Sequence, residues 1–450
     1  MVEGNYLYKL AARAESGNPL RIGLIGAGKF GTTFLSQARY LPGLHVLGIA
    51  DLSNDRLLRS LKNAEWKQSD YSATSFDNAL ERGCTYLTDD AEALIKADGI
   101  ELIVEATGDP SVGVRYALQA IEYGRHVIMV NVEADVLAGY LLARKAAAAG
   151  VVYSLAYGDQ PALICELVNW ARSCGFNTIC AGKGTKYLPV YHSSTPDTIW
   201  THYGMDIETG TQHDLNPQMF NSFLDGTKSA IEMAAVANAT GLYPQFEGLR
   251  FPPCRIENLP NVCRPYEDGG QLSHKGTVEV VSCMERDGRL IENHLRWGVF
   301  IIIEAPSDYV KSCFTEYGLA TDTTGRYAAM YRPYHLVGLE LSVSILKAGL
   351  DREATGFPVK FNADVIATAK KNLEAKEMLD GEGGYCVYGT LKPADLAVKE
   401  RLLPIGLANR IKLINDVAEG QYVKWSDIEY DQTDSIIKFR SEMEQINRTI

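Results

Sequence analysis

Apolar residues in the first third of the chain form short continuous runs, separated by segments with helical spacing. The runs cover residues 20–25, 44–50, 99–106, 125–130 and 151–156, and the helical segments include 111–123 and 134–148. A continuous apolar run is typical of a strand that is buried on both faces of a parallel sheet. Because such strands alternate with helices, the pattern predicts an α/β domain with a doubly wound parallel sheet.

Shorter elements complete this predicted domain. Residues 5–15 have the spacing of a short amphipathic helix, and residues 53–83 form a polar, partly helical insertion. Residues 85–88 predict a short strand. The acidic pair Asp89-Asp90 that follows would cap the next helix.

The pattern changes beyond residue 181. A helix over 161–174 and a strand over 177–181 still continue the α/β alternation, whereas the later elements are mixed. These later elements are helices over 217–238 and 336–346 and strands over 276–284 and 297–303. From about Gly384, short strands and turns dominate. We therefore predict a Rossmann domain at 1–160, a central α+β substrate and dimerisation domain at 161–380, and a small β-rich domain at 381–450.

Composition narrows the functional classes. The 450 residues are 46% hydrophobic and carry a formal charge of −12, from 44 basic and 56 acidic residues. This balance argues against nucleic acid or an anionic membrane as a partner. Nine cysteines without a CxxC pair favour reduced thiols, and no apolar run reaches the roughly 18 residues of a membrane span. We expect a cytoplasmic protein that acts on a small molecule.

A glycine-rich turn follows the first predicted strand. Gly26, Gly28 and Gly31 have the GxGxxG spacing of a dinucleotide-binding βαβ unit. In that unit the glycines permit a tight turn, close approach to a pyrophosphate and close helix–strand packing, while the helix N-terminus offers N–H groups to the phosphates. The candidate cofactor contacts in this turn and at the carboxyl edge of the sheet are Gly26, Gly28, Lys29, Phe30, Gly31, Thr107, Gly108 and Asn131.

Asp51 ends the second apolar run, where a carboxylate would accept hydrogen bonds from the adenosine ribose. By itself it favours NAD(H), because it repels a 2′-phosphate. Arg56 lies just beyond, with Ser53 and Asn54, and would bind the 2′-phosphate of NADP(H) if Asp51 turned away. The sequence therefore leaves the choice between NAD(H) and NADP(H) open. The alternative of a glycine turn without any ligand leaves Asp51 unexplained.

A polar stripe runs along the predicted helix 217–238. It consists of Asn221, Asp225, Lys228 and Glu232. Their spacing of four, three and four residues places them on one helical face. An ion-paired, solvated surface is the structural alternative. A functional role is favoured by Gly226, because a helical glycine costs about 1 kcal/mol relative to alanine and suggests close approach of a ligand or backbone.

Two further groups of polar residues are candidates for chemistry. Lys183 and Lys186, in the sequence GKGTKY after a strand, could bind an anion or polarise a carbonyl, and a solvated flexible loop is an equal alternative. The stretch around Asp206, His213 and Asp214 contains ligand types for a divalent ion. Its spacing matches no metal motif, so an ordinary polar loop is favoured.

The order of these features resembles the homoserine-dehydrogenase superfamily. The glycine turn at 26–31 and the sequence EATGDP at 105–110 match its cofactor domain. Asn131 stands in the place of an Ala-Asn-Lys turn, and residues 225–228 (DGTK) in the place of an Asn-Gly-Thr helix start. The catalytic lysine of that turn is replaced, since Val132 follows Asn131. Homoserine oxidation itself is therefore in doubt.

A closer resemblance is to the branch that couples such domains to a C-terminal SAF-like (β-clip) module. This branch includes the 1-deoxy-D-xylulose 5-phosphate reductoisomerase-like enzymes. The motifs that carry the resemblance are LRIGLIGAGKFG, IADLS, EATGDP, VNVEAD, GDQP, GKGTKY and RPYHLVGLE. It implies an NADPH-dependent oxidoreductase, a homodimer and a two-stage reaction of isoprenoid precursor synthesis. A ketose phosphate would rearrange to an aldehyde, which is then reduced.

This resemblance also implies roles for the polar candidates. Such chemistry needs a cation near the vicinal oxygens, from Lys183, Lys186, Lys228 or a bound Mg²⁺ or Mn²⁺. The groups that could orient hydroxyls, hold a metal or bind the substrate and its phosphate are Asp159, Asn221, Asp225, Glu232, Arg332 and His335. Two alternatives stay open. One is a simple NAD(P)-dependent dehydrogenase of a polyol, sugar acid or amino-acid-derived aldehyde, and the other is a non-catalytic nucleotide-binding scaffold.

Overall fold

The computed structural model describes residues 5–204 and 216–449. Within them the chain divides into two compact units. The first contains residues 5–163 and 336–358, and the second contains residues 164–335 and 359–449. The predicted division into three domains at 160 and 380 stays a prediction. The segment 336–358 belongs to the first unit, although most of the second unit precedes it in the sequence.

The first unit is an α/β domain with one parallel sheet. Its strands are β1 (Leu20–Ile25), β2 (Leu44–Ala50), β3 (Tyr86–Thr88), β4 (Leu102–Glu105), β5 (His126–Met129) and β6 (Tyr153–Leu155). Its helices are α1 (Tyr6–Glu15), α2 (Lys29–Ala38), α3 (Asn54–Asn63), α4 (Phe76–Arg82), α5 (Ala91–Lys96), α6 (Pro110–Glu122) and α7 (Val132–Ala148). The strand order is β3-β2-β1-β4-β5-β6, which confirms the predicted doubly wound parallel sheet.

Polar side chains near the strand ends start several helices of this unit. Ser53, Asp90, Asp109 and Asn131 are the N-caps of α3, α5, α6 and α7, and each side chain accepts a hydrogen bond from a first-turn N–H group. These contacts pair donors that helix geometry leaves without a partner. They fix where each helix begins after the carboxyl end of its strand.

The segment 336–358 contributes to the core of the first unit. Leu341 and Ile345 are buried in one apolar cluster with Leu24 and Phe34. The Oγ atom of Ser344 accepts a hydrogen bond from the N–H of Tyr157 at 2.8 Å.

The prediction of a helix over 336–346 is wrong for its first half, residues 336–341. The helix covers only Ser342–Leu346 and continues as a π-helical turn, Lys347–Asp351. Gly338 has a φ of +76°, a left-handed conformation that interrupts a right-handed helix. A Cβ atom there would also lie 2.7 Å from the carbonyl oxygen of Phe30, so the chain passes closely over α2.

The second unit is built on a mixed five-stranded sheet. Its strands are β7 (Asn177–Thr185), β8 (Thr277–Ser282), β9 (Val299–Glu304), β10 (Ala320–Thr321) and β11 (Tyr327–Arg332). The helices of this part are α8 (Gln160–Ser173), which contains the boundary between the units, α9 (Ile199–Tyr203), α10 (Pro217–Leu224), α11 (Thr227–Thr240), α12 (Leu259–Val262) and α13 (Asp308–Glu316). The order is β10-β11-β9-β7-β8, with only β7 and β8 parallel. This mixed sheet confirms the predicted α+β class.

Two small antiparallel sheets follow in the same unit. Their strands are β12 (Ala363–Ala369), β13 (Met378–Asp380), β14 (Val387–Pro393), β15 (Asn409–Leu413) and β16 (Ile428–Glu429). The associated helices are α14 (Ala394–Lys399) and α15 (Ser435–Thr449). β12 pairs with β14, and β15 pairs with both β13 and β16. α11 packs against β8, β12 and β14, so these strands share the core of the second unit. The SAF-like assignment stays a prediction.

Candidate functional site

The glycine turn joins β1 to α2 in the first unit. Gly26 has a φ of +100°, which residues with a side chain rarely adopt. A Cβ atom on Gly26 would lie 2.4 Å from the carbonyl oxygen of Ala106, and one on Gly31 would lie 2.4 Å from that of Gly26. Packing therefore requires glycine at both positions. Gly28 differs, because nothing lies within 4 Å of the place where its Cβ atom would be.

This open position is the N-cap of α2. No side chain caps that helix end, whereas the starts of α3, α5, α6 and α7 are capped. The N–H groups of the first turn, from Lys29 and Phe30 onward, have no partner within the helix, and the helix dipole adds partial positive charge. An uncapped helix N-terminus beside open space fits the pyrophosphate of a dinucleotide.

We expect Gly28→Ala to fold normally and to lose at least about tenfold in NADPH affinity, or about 1.4 kcal/mol. The φ of Gly28 is −73° and its surroundings are open, so the added methyl group meets only the space proposed for the pyrophosphate. Gly31→Ala is the contrasting variant, because its Cβ atom would meet backbone and lower Tm as well. Thermal unfolding and fluorescence titration measure the two effects. An unchanged NADPH affinity of Gly28→Ala would contradict this site.

Asp51 follows β2 and turns its carboxylate toward the protein. Its Oδ2 accepts a hydrogen bond from the N–H of Ala27 at 2.8 Å, and its Oδ1 accepts from Ser53 N–H and Arg56 Nη2, both at 2.8 Å. Burial by itself would raise the pKa of Asp51, but these hydrogen bonds outweigh burial and lower it. The Arg56 side chain is 50% exposed. A half-exposed guanidinium therefore neutralises the buried carboxylate at this edge.

The turns that follow β4 and β5 meet at the same edge of the sheet. The N–H of Thr107 donates to Oε1 of Glu105 at 3.0 Å, and Gly108 has a φ of +76° with nothing within 4 Å of its Cβ position. Asn131 caps α7 and donates from Nδ2 to the carbonyl oxygen of Asp109 at 2.9 Å. With the open glycine, the uncapped helix and Arg56, this edge has the space and the positive charge that the phosphates of a dinucleotide require.

The second unit contains a buried Lys–Glu ion pair. Lys183 lies in β7, between β8 and β9, and its Nζ contacts Oε2 of Glu232 from α11. Both side chains are at most 7% exposed. The prediction of a loop after residue 181 is wrong, because β7 continues to Thr185. Gly182 and Gly184 permit this, since a Cβ atom on either would lie 1.9 Å from a neighbouring carbonyl oxygen.

The predicted helix 217–238 is broken in the structure. Gly226 takes a left-handed φ of +92° between α10 and α11, which ends one helix and starts the next. The prediction that four polar residues share one helical face is therefore wrong. Asn221 lies in α10, Asp225 is its C-cap, and Lys228 and Glu232 lie in α11.

Asp225 forms a second buried ion pair, with a lysine that the sequence did not indicate. Its Oδ2 lies 2.8 Å from Nζ of Lys370, and both side chains are at most 2% exposed. Lys370 also donates to the carbonyl oxygens of Ser194 and Gly384, both at 2.8 Å. Its ammonium thus donates two hydrogen bonds to the backbone and forms an ion pair with Asp225. Lys370 joins the turn at Asp225 to the end of β12.

A Tyr–His pair lies beside the same turn. Nδ1 of His192 is 2.7 Å from the carbonyl oxygen of Asp225, and Nε2 is 2.8 Å from the hydroxyl of Tyr187. A carbonyl oxygen only accepts, so Nδ1 carries the proton and Nε2 of the neutral ring accepts from Tyr187. Burial lowers the pKa of His192 and raises that of Tyr187 to about 12. Both side chains are therefore neutral at neutral pH.

Two other predicted site residues have structural partners in the second unit. Nζ of Lys186 donates to the carbonyl oxygen of His202 at 2.6 Å, and its pKa is lowered by burial and by nearby Arg296. Asn221 is fully buried, and its side chain accepts from the hydroxyl of Ser194 at 2.6 Å and donates to the carbonyl oxygen of the same residue at 3.0 Å. The Asn221 amide is therefore engaged in hydrogen bonds within the protein.

The remaining candidates are Asp159, Lys228, Arg332 and His335. Asp159, in the first unit, accepts a hydrogen bond from the N–H of Gln160 at 2.8 Å. In the second unit, the guanidinium of Arg332 lies 5.9 Å from the centre of the Tyr334 ring. His335 Nδ1 lies 2.7 Å from the carbonyl oxygen of Trp297. Lys228 is half-buried on α11. The substrate roles of these residues stay predictions.

Sequence reasoning missed several buried polar groups. Glu105 carried a usable signal, because it is a carboxylate inside the apolar run 99–106. Tyr187 lies in a loop and His192 in a short 3₁₀ helix, Pro189–Ser193, so no strand or helix periodicity marked them. Lys370 directly follows an apolar strand and precedes a second lysine, which reads as an ordinary solvated end.

The candidate metal ligands Asp206, His213 and Asp214 lie outside the described residues. Within residues 5–204 and 216–449, no three or more His, Cys, Asp or Glu side chains are grouped so that they could hold a metal ion. The same stretches contain no helix with the length and apolar character needed to cross a bilayer.

Three solved oxidoreductase structures are similar to parts of the chain, each at low identity and low TM-score. A myo-inositol dehydrogenase from Lactobacillus casei is 11% identical and covers 41% of this chain and 50% of its own, with a TM-score of 0.29. A probable dehydrogenase from Thermotoga maritima is 12% identical over 71% and 70%, with a TM-score of 0.30. A 3-ketoreductase from Actinomadura kijaniata is 16% identical over 38% and 48%, with a TM-score of 0.26. The chain spans about half the length of the first and third proteins, and no functional argument rests on these likenesses.

One family model matches part of the chain. No curated protein matches the sequence. Residues 158–341 match the model described as oxidoreductase DRL, catalytic domain. The matched region contains both members of the Lys183–Glu232 pair and Asp225, whereas the glycine turn and Lys370 lie outside it. In this region the chain is therefore similar to an oxidoreductase catalytic domain.

Proposed function

We propose that the chain is an NADP(H)-dependent oxidoreductase that interconverts a carbonyl and an alcohol. The family match over 158–341 supports the oxidoreductase class. The open Gly28 and the uncapped start of α2 support binding of a dinucleotide in the first unit. The observation that carries the choice of NADP(H) is the ion pair between Asp51 and the half-exposed Arg56.

The charge at this edge decides between the two nicotinamide cofactors. A free carboxylate after β2 accepts hydrogen bonds from the ribose hydroxyls and repels a 2′-phosphate. Here both Asp51 oxygens are occupied by Ala27, Ser53 and Arg56. The group that remains half-exposed is a guanidinium, whose planar donors suit a phosphate. Arg56 would therefore hold the 2′-phosphate.

Arg56→Ala is expected to raise the KM for NADPH at least about tenfold, because a hydrogen bond to a charged group contributes about 1.5–3 kcal/mol. The KM for NADH should stay the same or fall, since Asp51 would be released to accept from the ribose. Arg59→Ala is the matched control, because Arg59 is also an exposed arginine of α3. Equal changes in KM for both cofactors would contradict the 2′-phosphate role.

The proposed proton chemistry belongs to the second unit. Carbonyl reduction needs a hydride, which a reduced nicotinamide supplies when bound, and a proton at the oxygen. Lys183 is the proposed proton donor through Nζ, because its ammonium is held by Glu232 in a buried setting, where charge acts strongly on a developing oxyanion. Glu232 positions Nζ through the ion pair. Gly182 and Gly184, on either side of Lys183, allow backbone carbonyl oxygens of neighbouring segments to lie close to β7.

A finer proposal concerns the reaction itself. The motif resemblance supports rearrangement of a ketose phosphate followed by reduction, with a simple dehydrogenase as the alternative. NADPH oxidation with 1-deoxy-D-xylulose 5-phosphate, with and without Mg²⁺ or Mn²⁺, tests the rearrangement. A product with an unrearranged skeleton would support the simple dehydrogenase. Tight NADPH binding without turnover of phosphorylated or unphosphorylated aldehydes and ketones would support the non-catalytic scaffold. A homo-oligomer stays a prediction.

A further inference from the structure

Glu105 is a buried carboxylate that the proposed function has not yet used. It is the last residue of β4, and none of its surface is exposed. Its Oε1 accepts a hydrogen bond from the N–H of Thr107, but Oε2 has no hydrogen-bond partner in the described part of the chain. The nearby Asn131 amide donates to the carbonyl oxygen of Asp109 at 2.9 Å and to the hydroxyl of Thr107 at 3.5 Å. A half-satisfied buried carboxylate is costly when it is ionised.

The fold makes room for this carboxylate. Gly113 in α6 faces it, and a Cβ atom at that position would lie 2.9 Å from Oε2 of Glu105 and 2.7 Å from Nδ2 of Asn131. Any side chain at residue 113 would therefore displace the acid or the amide. The space that glycine leaves open at position 113 is therefore occupied by the Glu105 carboxyl group, which can bind a proton.

Burial favours the protonated form of Glu105. Burial is the largest influence and raises the pKa of Glu105 to about 7, while hydrogen bonding by the side chain and backbone of Thr107 and by the Asn131 side chain acts in the opposite direction. The Glu133 carboxylate in α7 adds to the upward shift. From β6, the hydroxyl of Tyr153 faces the same region and donates to Asp135. A carboxyl group with its pKa raised to about 7 is sensitive to a change of charge in its surroundings near neutral pH.

Glu105 lies one residue away from the backbone that supports the glycine turn. The position of a Gly26 Cβ atom is 2.4 Å from the carbonyl oxygen of Ala106 and 3.2 Å from the nitrogen of Thr107. The N–H on that nitrogen is the donor to Oε1 of Glu105. The Ala106–Thr107 peptide therefore packs closely against Gly26 and also donates a hydrogen bond to the Glu105 carboxylate through the N–H of Thr107.

We propose that Glu105 takes up a proton when an anionic dinucleotide binds at the glycine turn, so that it acts as a positioning residue for the Thr107 turn. The inference rests on the proposed cofactor function. Binding adds negative phosphate charge and removes water at this edge, and both effects make the ionised carboxylate less favourable. The proton comes from the buffer, and the neutral carboxyl keeps its acceptor oxygen toward Thr107.

The linkage has a definite sign. If Glu105 binds a proton more tightly in the complex, NADPH affinity falls as the pH rises above the pKa of the free protein, near 7. The slope is at most about tenfold in affinity per pH unit, the limit for uptake of one proton. Glu105→Gln, which cannot ionise, should remove this part of the pH dependence between pH 7 and 8.5.

Titration calorimetry with NADPH at pH 7.5, in two buffers of different ionisation enthalpy, counts the protons directly. Net uptake is expected for the wild type and should be reduced in Glu105→Gln. Asp135→Asn is the matched control, because Asp135 is also a buried carboxyl whose pKa burial raises to about 7, but its hydrogen-bond partner is Tyr153. This variant should keep the wild-type proton count.

Several results would overturn the inference. A wild-type protein that binds NADPH without a difference in proton uptake from Glu105→Gln would exclude Glu105 as the acceptor. Loss of uptake in Asp135→Asn alone would assign the proton to Asp135. Absence of any NADPH binding would contradict the proposed function itself and remove the basis of the inference. If Glu105→Gln does not fold, the wild type alone still tests the inference. Proton release on NADPH binding at pH 7.5, or no proton exchange at all, would refute proton uptake by Glu105.

Discussion

Lys183→Met is expected to lower the free energy of unfolding by about 3–5 kcal/mol and turnover by at least about 10²-fold. The stability loss follows because Glu232, whose side chain is 5% exposed, would stay buried without its cation. The loss of turnover follows if Nζ is the proton donor. Denaturant unfolding followed by circular dichroism measures the first effect, and NADPH oxidation measures the second.

A double variant separates these two effects. Lys183→Met with Glu232→Leu removes both charges and keeps similar volumes, and replacing a whole buried pair by apolar residues is often neutral in stability. We therefore expect most of the stability to return while turnover stays low. Recovered turnover in the double variant would contradict the role of Lys183 as donor. Lys371→Met is the matched control, because Lys371 pairs with Glu377 at the surface and should cost no more than about 1 kcal/mol.

Arg440→Met is expected to destabilise the second unit by about 3–5 kcal/mol at pH 7.5. Arg440, in α15, forms an ion pair with Asp364 of β12, and both side chains are at most 2% exposed. Its guanidinium also lies 4.8 Å from the centre of the Phe361 ring and donates to Glu444. Methionine would keep part of the packing volume and leave Asp364 without its cation. Urea unfolding measures the difference in free energy.

The pH dependence of this variant gives a second, independent test. Burial already raises the pKa of Asp364, and Arg440 opposes that shift, so removal of Arg440 should raise the pKa further. A carboxyl whose folded-state pKa is raised loses stability as the pH rises above its unfolded value of about 3.9. The deficit should thus be smaller at pH 4.5 than at pH 7.5. A deficit independent of pH, or an equal one in the exposed control Lys438→Met, would contradict this account.

The α/β architecture of the first unit was accessible from the sequence, because its strands are buried on both faces and carry local signals at their ends. The caps Asp90 and Asp109 stand directly before their helices. The requirement for glycine at position 31 comes from a short-range contact, because a Cβ atom there would meet the carbonyl oxygen of Gly26 in the same βαβ unit. Signals of this kind involve neighbours in the chain, so a single sequence contains them.

The candidate site of the second unit was only partly accessible. Lys183, Asp225 and Glu232 were recognised as polar groups, but their partners were not paired correctly. The helix was expected to bring Asp225 and Glu232 to one face, and the left-handed Gly226 separates them instead. Lys183 was expected in a loop, and two neighbouring strands extend β7 around it. Both differences depend on contacts with segments distant in the chain.

By itself, the sequence determined the parallel α/β domain, the glycine turn and the presence of a carboxylate and an arginine after the second strand. Only the tertiary structure decided that Asp51 is neutralised by Arg56, that Lys370 pairs with Asp225, and that segment 336–358 joins the first unit. The physical reason is that local spacing sets backbone conformation, whereas the charge state and accessibility of a polar group depend on which distant residues bury it.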